Sequence, residues 1–336
     1  MVTTAVQMII RHLCTFTPNY QALLLFPPAT NVRKEHVIKS MKVLNFGSLN
    51  LDYVYQVPHI VHPGETLSSS RLDVHCGGKG LNQSLALRRA GIEVWHAGII
   101  GNDGEMLKQL CTKEGIHTDF LNVADAKTGH AIIQVDQEGQ NSIVLFPGTN
   151  RQITKEFVDD VLSHFEQNDL IILQNEISEL PYIIEKAAEK GMCIVLNPSP
   201  FDETILTCPL NKISYMFINE VEGEMLSKEK EPEKMLEVIL TQYPDINVVL
   251  TLGSHGIWFA NKSQKVFQDI YRVPVVDTTA AGDTFMGYYV ASMLIGKTEK
   301  EALDFAAYAA ALAVSRAGAA SSIPDFDEVF SKASTK

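Results

Sequence analysis

The chain has 336 residues, of which 46% are apolar and 20% are charged, as in ordinary globular proteins. Its net charge of −12 and the lack of a basic stripe argue against a nucleic-acid partner. No apolar run reaches the roughly 20 residues needed to cross a bilayer, so we expect no membrane partner. The 5 cysteines are scattered without a C-x-x-C pair, which argues against a zinc knuckle or disulfide framework and favours the reducing cytoplasm.

The N-terminal segment differs from the rest of the chain. It lacks the basic start and the sustained apolar stretch of a signal peptide. Met41 then opens a clean strand pattern. We therefore predict that residues 1–40 are a disordered or non-core extension, that one folded domain spans residues 41–330, and that residues 331–336 form a tail.

From Lys42 onward, continuous apolar strands alternate with amphipathic helices. The predicted strands cover residues 43–48, 94–100, 170–174, 193–197, 215–218 and 248–252. The predicted helices cover residues 81–90, 104–114, 154–167, 180–190 and 232–242. This alternation predicts an α/β fold, a three-layer Rossmann-like sandwich around a mostly parallel central sheet. Ligands are then expected at the carboxyl ends of the strands.

Two pairs of short, alternating segments interrupt this rhythm. Residues 52–59 pair with 66–75, and residues 130–136 form a hairpin with 142–146. They predict a small β-sheet lid with strands from about 51–76 and 129–147, whose closure would exclude water. The alternative to a lid is an edge sheet that packs against a second subunit, and one sheet can serve both roles. We therefore expect a homodimer through the lid sheet.

The sequence H-I-V-H places His59 and His62 at a spacing that metal-binding pairs use. Because no further ligand pattern accompanies them, we interpret both as loop histidines.

The segment V-D-T-T-A-A-G-D-T-F, residues 276–285, places a carboxylate at the start of an apolar helix. Ala280, Ala281 and Gly282 leave backbone N–H groups uncovered, and a helix N-terminus favours a bound anion. Asp283 would compete with that anion unless it takes a proton from a nucleophile while the N–H groups hold the phosphoryl group under attack. The segment therefore predicts a kinase site, although an N-cap aspartate on a buried helix is the alternative.

Two further segments accompany this one: G-G-K-G-L-N-Q at residues 77–83 and N-E-V-E at residues 219–222. With all three in this order, the chain resembles the PfkB family of carbohydrate kinases over about residues 42–330. The resemblance is greatest to members that phosphorylate ribose. It implies ATP-dependent conversion of D-ribose to D-ribose 5-phosphate.

The resemblance also implies roles for particular residues. Asp283 would be the general base, beside an anion hole formed by Ala280, Ala281 and Gly282. The implied sugar-binding residues are Asn50, Asp52, Gly78, Lys79, Asn82, Glu176 and Asp283. The implied nucleotide-binding residues are Asn219, Thr251, Leu252, Gly253, Ser254, His255, Gly256 and Gly282.

Two cations are implied as cofactors. Mg²⁺ would arrive with ATP and contact Glu222 through water. K⁺ would activate the enzyme from a site beside the anion hole. Its implied ligands are Asp277, Thr279, Ala313, Arg316, Gly318 and Ser322, mostly through backbone oxygens.

The specificity is less firmly implied than the reaction. Two carboxylates in the sugar site suit a neutral polyol and would repel a sugar phosphate. A nucleoside kinase is a rival, since Tyr53 and Tyr55 offer rings that could sandwich a base. A fructokinase-like enzyme and a non-catalytic sensing module are others. Leu81 and His130 depart from the usual pattern and are expected to reshape the sugar pocket.

Overall fold

The computed structural model describes residues 41–330. The extension predicted at 1–40 and the tail predicted at 331–336 lie outside these described residues. Within residues 41–330, none of the helices combines the length and the apolar character that a membrane span requires.

The described chain alternates strands and helices. The strands are β1 (Val43–Phe46), β2 (Asn50–Gln56), β3 (Arg71–Gly77), β4 (Val94–Gly101), β5 (His117–Ala124), β6 (Gly129–Val135), β7 (Asn141–Phe146), β8 (Leu170–Gln174), β9 (Cys193–Asn197), β10 (Tyr215–Asn219), β11 (Asn247–Thr251), β12 (Ile257–Ala260) and β13 (Lys265–Gln268). The helices are α1 (Lys79–Arg89), α2 (Glu105–Glu114), α3 (Lys155–Ser163), α4 (Leu180–Glu189), α5 (Glu203–Thr207), α6 (Glu220–Ser227), α7 (Pro232–Gln242), α8 (Ala281–Leu294), α9 (Glu299–Val314) and α10 (Phe326–Phe330).

Within residues 41–330, the central sheet has nine strands in the order β13-β12-β11-β10-β9-β8-β1-β4-β5. The seven strands from β11 to β5 are parallel, and β12 and β13 add an antiparallel hairpin at one edge. The mostly parallel sheet confirms the predicted fold class. Strands β5, β12 and β13 were not predicted. Strands β5 and β13 lack the continuous buried run of the inner strands, whereas β12 is a short apolar run of four residues that was missed.

Helices cover both faces of this sheet. One core cluster joins α1, α2, α8 and α9, with Leu85, Leu107 and Tyr288 among its buried residues. The second cluster joins α3, α4 and α7 to the opposite face and includes Val158 and Ile183. Since successive residues of β1 point to opposite faces, Val43 enters the first cluster and its neighbour Leu44 enters the second. The protein is therefore a three-layer sandwich.

The lid is a four-stranded sheet in the order β3-β2-β6-β7. Strands β2 and β6 are parallel, and the other pairs are antiparallel. The predicted hairpin of β6 and β7 is present, with its turn closed by a hydrogen bond from the Asp136 N–H to the Gln140 carbonyl. The first pair was predicted with the wrong bounds: β2 ends at Gln56, and β3 begins only at Arg71.

The site lies where the chain order reverses in the central sheet. From β1 the sheet continues to β4 on one side and to β8 on the other. Such a switch point opens a crevice at the carboxyl ends of the strands. Ser48 and Glu176, just past β1 and β8, meet there through a hydrogen bond from the serine hydroxyl to the glutamate carboxylate.

Candidate active site

Asp283 lies in the first turn of α8 and is almost fully buried. Its Oδ2 accepts a hydrogen bond of 3.1 Å from the Asn82 side chain, and its Oδ1 accepts one of 2.9 Å from the Gln83 side chain. Both amides come from α1. Small residues permit this approach, because a Cβ added to Gly287 of α8 would lie only 2.4 Å from the Ala86 Cβ of α1. Two amide donors and a helix N-terminus stabilise the carboxylate charge and fix its direction.

The backbone before Asp283 presents unused donors. Ala280 has a left-handed conformation with φ of 59°, which turns the chain into α8. Among residues 41–330, no acceptor is found for the N–H groups of Ala280, Gly282 and Asp283. Gly282 faces open space, since an added Cβ would meet nothing within 4 Å. The Ala281 N–H departs from the expectation, because it points back to the Thr278 carbonyl at 3.3 Å.

Gln83 is itself held by a chain of buried amides. Its Oε1 accepts a 2.7 Å hydrogen bond from Gln174 at the end of β8, and Gln174 also donates to Asn45 of β1 at 3.0 Å. Because the Gln83 oxygen is occupied by a donor, its amide nitrogen must face Asp283. Sequence reasoning missed this residue. The available signal was a second amide residue directly after Asn82 in the G-G-K-G-L-N-Q segment.

The predicted sugar residues converge at the base of the lid. Asn50 begins β2, and its Oδ1 accepts a 2.8 Å hydrogen bond from Asn150. Glu176 accepts one of 3.1 Å from the Lys79 N–H. Asp52 lies over Gly77, where any Cβ would come within 2.0 Å of its Oδ2. Gly78 follows with φ of 97° and forms the N-cap of α1, which carries Asn82.

The charged side chains in this site shift one another's pKa values. Burial, and secondarily the charge of Glu176, raise the pKa of Asp52 from 3.8 to about 7. Burial alone would lower the pKa of the Lys79 ammonium group. The carboxylates of Asp283, Glu176 and Glu222 outweigh that effect and raise it. Lys79 therefore stays charged among three acids.

A cleft of about 240 Å³ opens in front of Asp283. Eight of its lining residues were predicted for the site: Lys79, Asn219, Glu222, Thr251, Ala280, Ala281, Gly282 and Asp283. The others were missed: Asn197, Ser199, Phe217, Ile218, Thr278, Phe285 and Met286. Asn197 and Ile218 end predicted strands, and Thr278 and Phe285 lie inside the segment around Asp283. Nothing in the sequence distinguishes them from their neighbours as residues that line the cleft.

Asn219 and Glu222 form a capping box at the start of α6. The Asn219 side chain accepts from the Glu222 N–H at 2.9 Å, and the Glu222 Oε2 accepts from the Asn219 N–H at 3.0 Å. Asn219 is therefore the N-cap of α6, and Glu222 is its third helical residue. Among the described residues, Oε1 of Glu222 has no hydrogen-bond partner, so it is available to the cleft that the residue lines.

The predicted nucleotide loop after β11 lies beside the cleft and does not line it beyond Thr251. The Leu252 side chain is buried in the core, so only its backbone could contact a ligand. Residues Gly253–His255, including Ser254, form a short 3-10 turn, and Gly256 follows with φ of 101°.

The two predicted potassium-site loops are joined. Asp277 accepts hydrogen bonds from the N–H and hydroxyl of Thr279, and its Oδ2 accepts one of 2.9 Å from the Gly318 N–H. The Ala313 carbonyl accepts from the Arg316 N–H. The Arg316 side chain is turned away to Glu328. Ser322 is buried, and its hydroxyl donates to the Ala319 carbonyl at 2.8 Å.

Two expectations about the sugar pocket are wrong. Leu81 is fully buried in the first core cluster and lies behind the pocket. His130 pairs across the lid with Leu51, on the face opposite Asp52, and its ring contacts that of Tyr53 at 5.8 Å. Successive strand residues face opposite sides, so Tyr53 and Tyr55 also point away from Asp52.

Comparisons with known proteins agree with this geometry. The model of the pfkB family of carbohydrate kinases matches residues 40–325. The chain is 36% identical to a ribokinase of Haemophilus influenzae over 299 residues, covering 86% of this chain and 97% of that protein. It is 35% identical to a Staphylococcus aureus ribokinase, with 86% and 98% covered. A structure of Arabidopsis thaliana ribokinase complexed with ribose and ATP gives a TM-score of 0.76 at 27% identity, with 87% and 98% covered.

Proposed function

Because the chain belongs to the pfkB family of carbohydrate kinases, we propose that it transfers the terminal phosphoryl group of ATP to D-ribose, giving D-ribose 5-phosphate and ADP. The observation that carries this proposal is the buried Asp283 carboxylate, held by two amides at a helix N-terminus that borders an open cleft. The ribokinases to which the chain is similar support the choice of sugar.

Asp283 acts as the general base. It takes the proton of the sugar's primary hydroxyl while that oxygen forms a bond to the γ-phosphorus. The bond from the γ-phosphorus to the β,γ-bridging oxygen breaks, and ADP leaves with that electron pair. The amides of Asn82 and Gln83 keep the accepting oxygens aimed at the cleft.

The unused N–H groups of Ala280, Gly282 and Asp283 stabilise the charge that develops on the transferred group. Such preorganised donors are typically worth about 10²–10³ in rate each. Lys79 lines the same cleft and stays protonated, so it supplies a compact positive charge there.

The sugar hydroxyls bind to Asn50, Asp52 and Glu176 at the base of the lid. Acidic acceptors there favour a neutral polyol. Lys79 is the only basic side chain among the described residues that line the cleft, which disfavours a sugar phosphate. The tyrosines that a nucleoside kinase could use, Tyr53 and Tyr55, lie on the other face of the lid. This placement disfavours a nucleoside.

ATP enters as its Mg²⁺ complex. Glu222 lines the cleft with one carboxylate oxygen uncommitted, which suits contact with the hydrated ion. Asn219 and Thr251, which pair with each other at the ends of β10 and β11, both line the cleft, and residues 252–256 follow directly after Thr251.

K⁺ fits the loops that carry Asp277 and Gly318. Among residues 41–330, no hydrogen-bond donor is found for the backbone carbonyls of Thr279, Arg316 and Gly318, so hard oxygen ligands remain free there. A bound cation would supply charge that fixes the turn at Ala280. The Asp277 carboxylate already links the two loops.

We further propose a cytoplasmic homodimer that forms through the lid. Five apolar side chains project from one face of the lid sheet, each 42–65% exposed: Leu72, Val74, Ile132, Val144 and Phe146. An apolar face of this kind favours association with a second copy. The support for the reducing cytoplasm is the scattered placement of the cysteines in the sequence, without a C-x-x-C pair.

A substrate panel tests the reaction. The full chain is given Mg–ATP and K⁺ with D-ribose, 2-deoxy-D-ribose, D-fructose, adenosine or fructose 6-phosphate, and ADP release is measured. We expect the highest kcat/KM with D-ribose, and phosphorus NMR should identify the 5-phosphate. Faster turnover of a nucleoside would establish the rival specificity. Sugar binding without ADP release would indicate a sensing module.

A further inference from the structure

The loop between β2 and β3 gathers three metal-ligating side chains outside the kinase site. One donor atom each from His59, His62 and Glu65 lies within 4.8 Å of the others. The two histidines are those of the H-I-V-H sequence, for which no third ligand was evident. In the folded chain the third ligand is Glu65, which lies three residues after His62 in the same loop.

The backbone brings the ligands together before any ion binds. His62 to Glu65 form a turn closed by a 3.1 Å hydrogen bond from the Glu65 N–H to the His62 carbonyl. Pro63 occupies the second position, and Gly64 has φ of 82° at the third, as a type II turn requires. The turn is tied further by a 3.0 Å hydrogen bond from the His62 N–H to Glu65 Oε2.

His59 completes the cluster from the preceding segment. Its Nε2 lies 2.9 Å from Glu65 Oε1 and 3.0 Å from Oε2. Its ring stacks on that of His62, with centroids 5.3 Å apart. The neighbouring Val61 N–H donates to the Gln134 side chain of β6 at 2.9 Å, so the segment is fastened to the lid.

The chemistry of the donors selects the ion. Two imidazoles and one carboxylate suit Zn²⁺ and its first-row neighbours, whereas Mg²⁺ prefers oxygen ligands and keeps its waters. Three protein ligands leave a coordination position open to solvent, since the His59 and Glu65 side chains are 45% and 31% exposed.

We propose that His59, His62 and Glu65 bind one divalent transition-metal ion of the Zn²⁺ class. The bound ion cross-links the loop that joins β2 and β3. It is distinct from the Mg²⁺ that accompanies ATP, because none of its ligands lines the catalytic cleft.

Zn²⁺ titration by calorimetry tests the site on the full chain, with excess Mg²⁺ and ADP present to occupy the cleft. The variants are His59→Ala, His62→Ala and Glu65→Gln. The control is His117→Ala, which removes a partly exposed histidine that lies 2.8 Å from Glu93 and 3.9 Å from Asp119, with no second histidine beside it among the described residues. Every variant keeps all 5 cysteines, the three histidine variants each remove a single histidine, and Glu65→Gln removes none. A lost binding event therefore reports on the substituted residue.

We expect the wild type to bind one Zn²⁺ whose affinity falls at least about tenfold in each of the three variants and is unchanged in the control. Zn²⁺ should also raise the Tm of the wild type and the control but not of Glu65→Gln. Unchanged binding in any of the three variants would overturn the three-ligand site. An equal loss in His117→Ala would also overturn it.

Discussion

The side-chain amide of Gln83 donates a 2.9 Å hydrogen bond to Oδ1 of Asp283, and Gln83 is only 1% exposed. A hydrogen bond to a charged group is worth about 1.5–3 kcal/mol. We therefore expect Gln83→Met, which keeps the side-chain volume, to lower kcat about 10- to 100-fold.

Steady-state kinetics with D-ribose check this prediction. The KM for ATP should change little, because Gln83 does not line the cleft. Gln109→Met is the control, since Gln109 is exposed on α2. A normal kcat in Gln83→Met would show that Asn82 alone suffices to orient the base.

Much of this arrangement could be predicted from the sequence. The inner strands have continuous apolar runs, and the motif around Asp283 marks a helix start. The pairing of Gln83 with Gln174 could not be predicted, because it depends on how α1 sits over β8. The face of the lid sheet on which Tyr53 and His130 lie depends on the strand register. An error of one residue in the predicted strand bounds assigns each side chain to the opposite face.

The raised pKa of Asp52 predicts a pH dependence of sugar binding. Its pKa is about 7 rather than 3.8, so the carboxyl group loses its proton near neutrality. Because an ionised carboxylate accepts hydrogen bonds more strongly, the KM for D-ribose should fall as the pH rises from about 6 to 8. Initial-rate measurements test this, with the KM for ATP as the internal control. In Asp52→Asn the KM should be higher and independent of pH. A constant KM in the wild type would contradict this prediction.

Glu299 at the start of α9 predicts a pH dependence of stability. Its carboxylate accepts a hydrogen bond from the buried Tyr289 hydroxyl, but burial raises the pKa of Glu299 from 4.5 to about 7. A raised folded-state pKa contributes stability that is fully present below 4.5 and is lost as the pH rises through about 7. Glu299→Gln should therefore reduce the fall in unfolding free energy across this range, by an amount on the order of 1–3 kcal/mol.

Urea unfolding at several pH values measures this difference. Glu233→Gln provides the control, since Glu233 is an exposed residue in the first turn of α7. Its pH dependence should match that of the wild type. Equal pH dependence in Glu299→Gln and the wild type would show that burial of this carboxyl group has no consequence for folding.

The link from Asp277 to Gly318 predicts activation by a monovalent cation. Replacing K⁺ with Na⁺ at equal ionic strength should lower kcat several-fold. Asp277→Ala should raise the K⁺ concentration for half activation by about tenfold or more, because groups that orient ion ligands have effects of this size. Rates measured over a K⁺ titration test both statements, with exposed Asp119→Ala on β5 as the control. Equal rates in K⁺, in Na⁺ and without either ion would exclude the cation site.

The most direct test of Asp283 as the general base is the rate of phosphoryl transfer by the Asp283→Asn variant. Asparagine keeps the side-chain size but cannot take the sugar's proton, so kcat with D-ribose should fall about 10²-fold or more. ATP binding, measured by calorimetry, should be retained. A variant that binds ATP and turns over D-ribose at nearly the wild-type rate would contradict the assignment of Asp283 as the base.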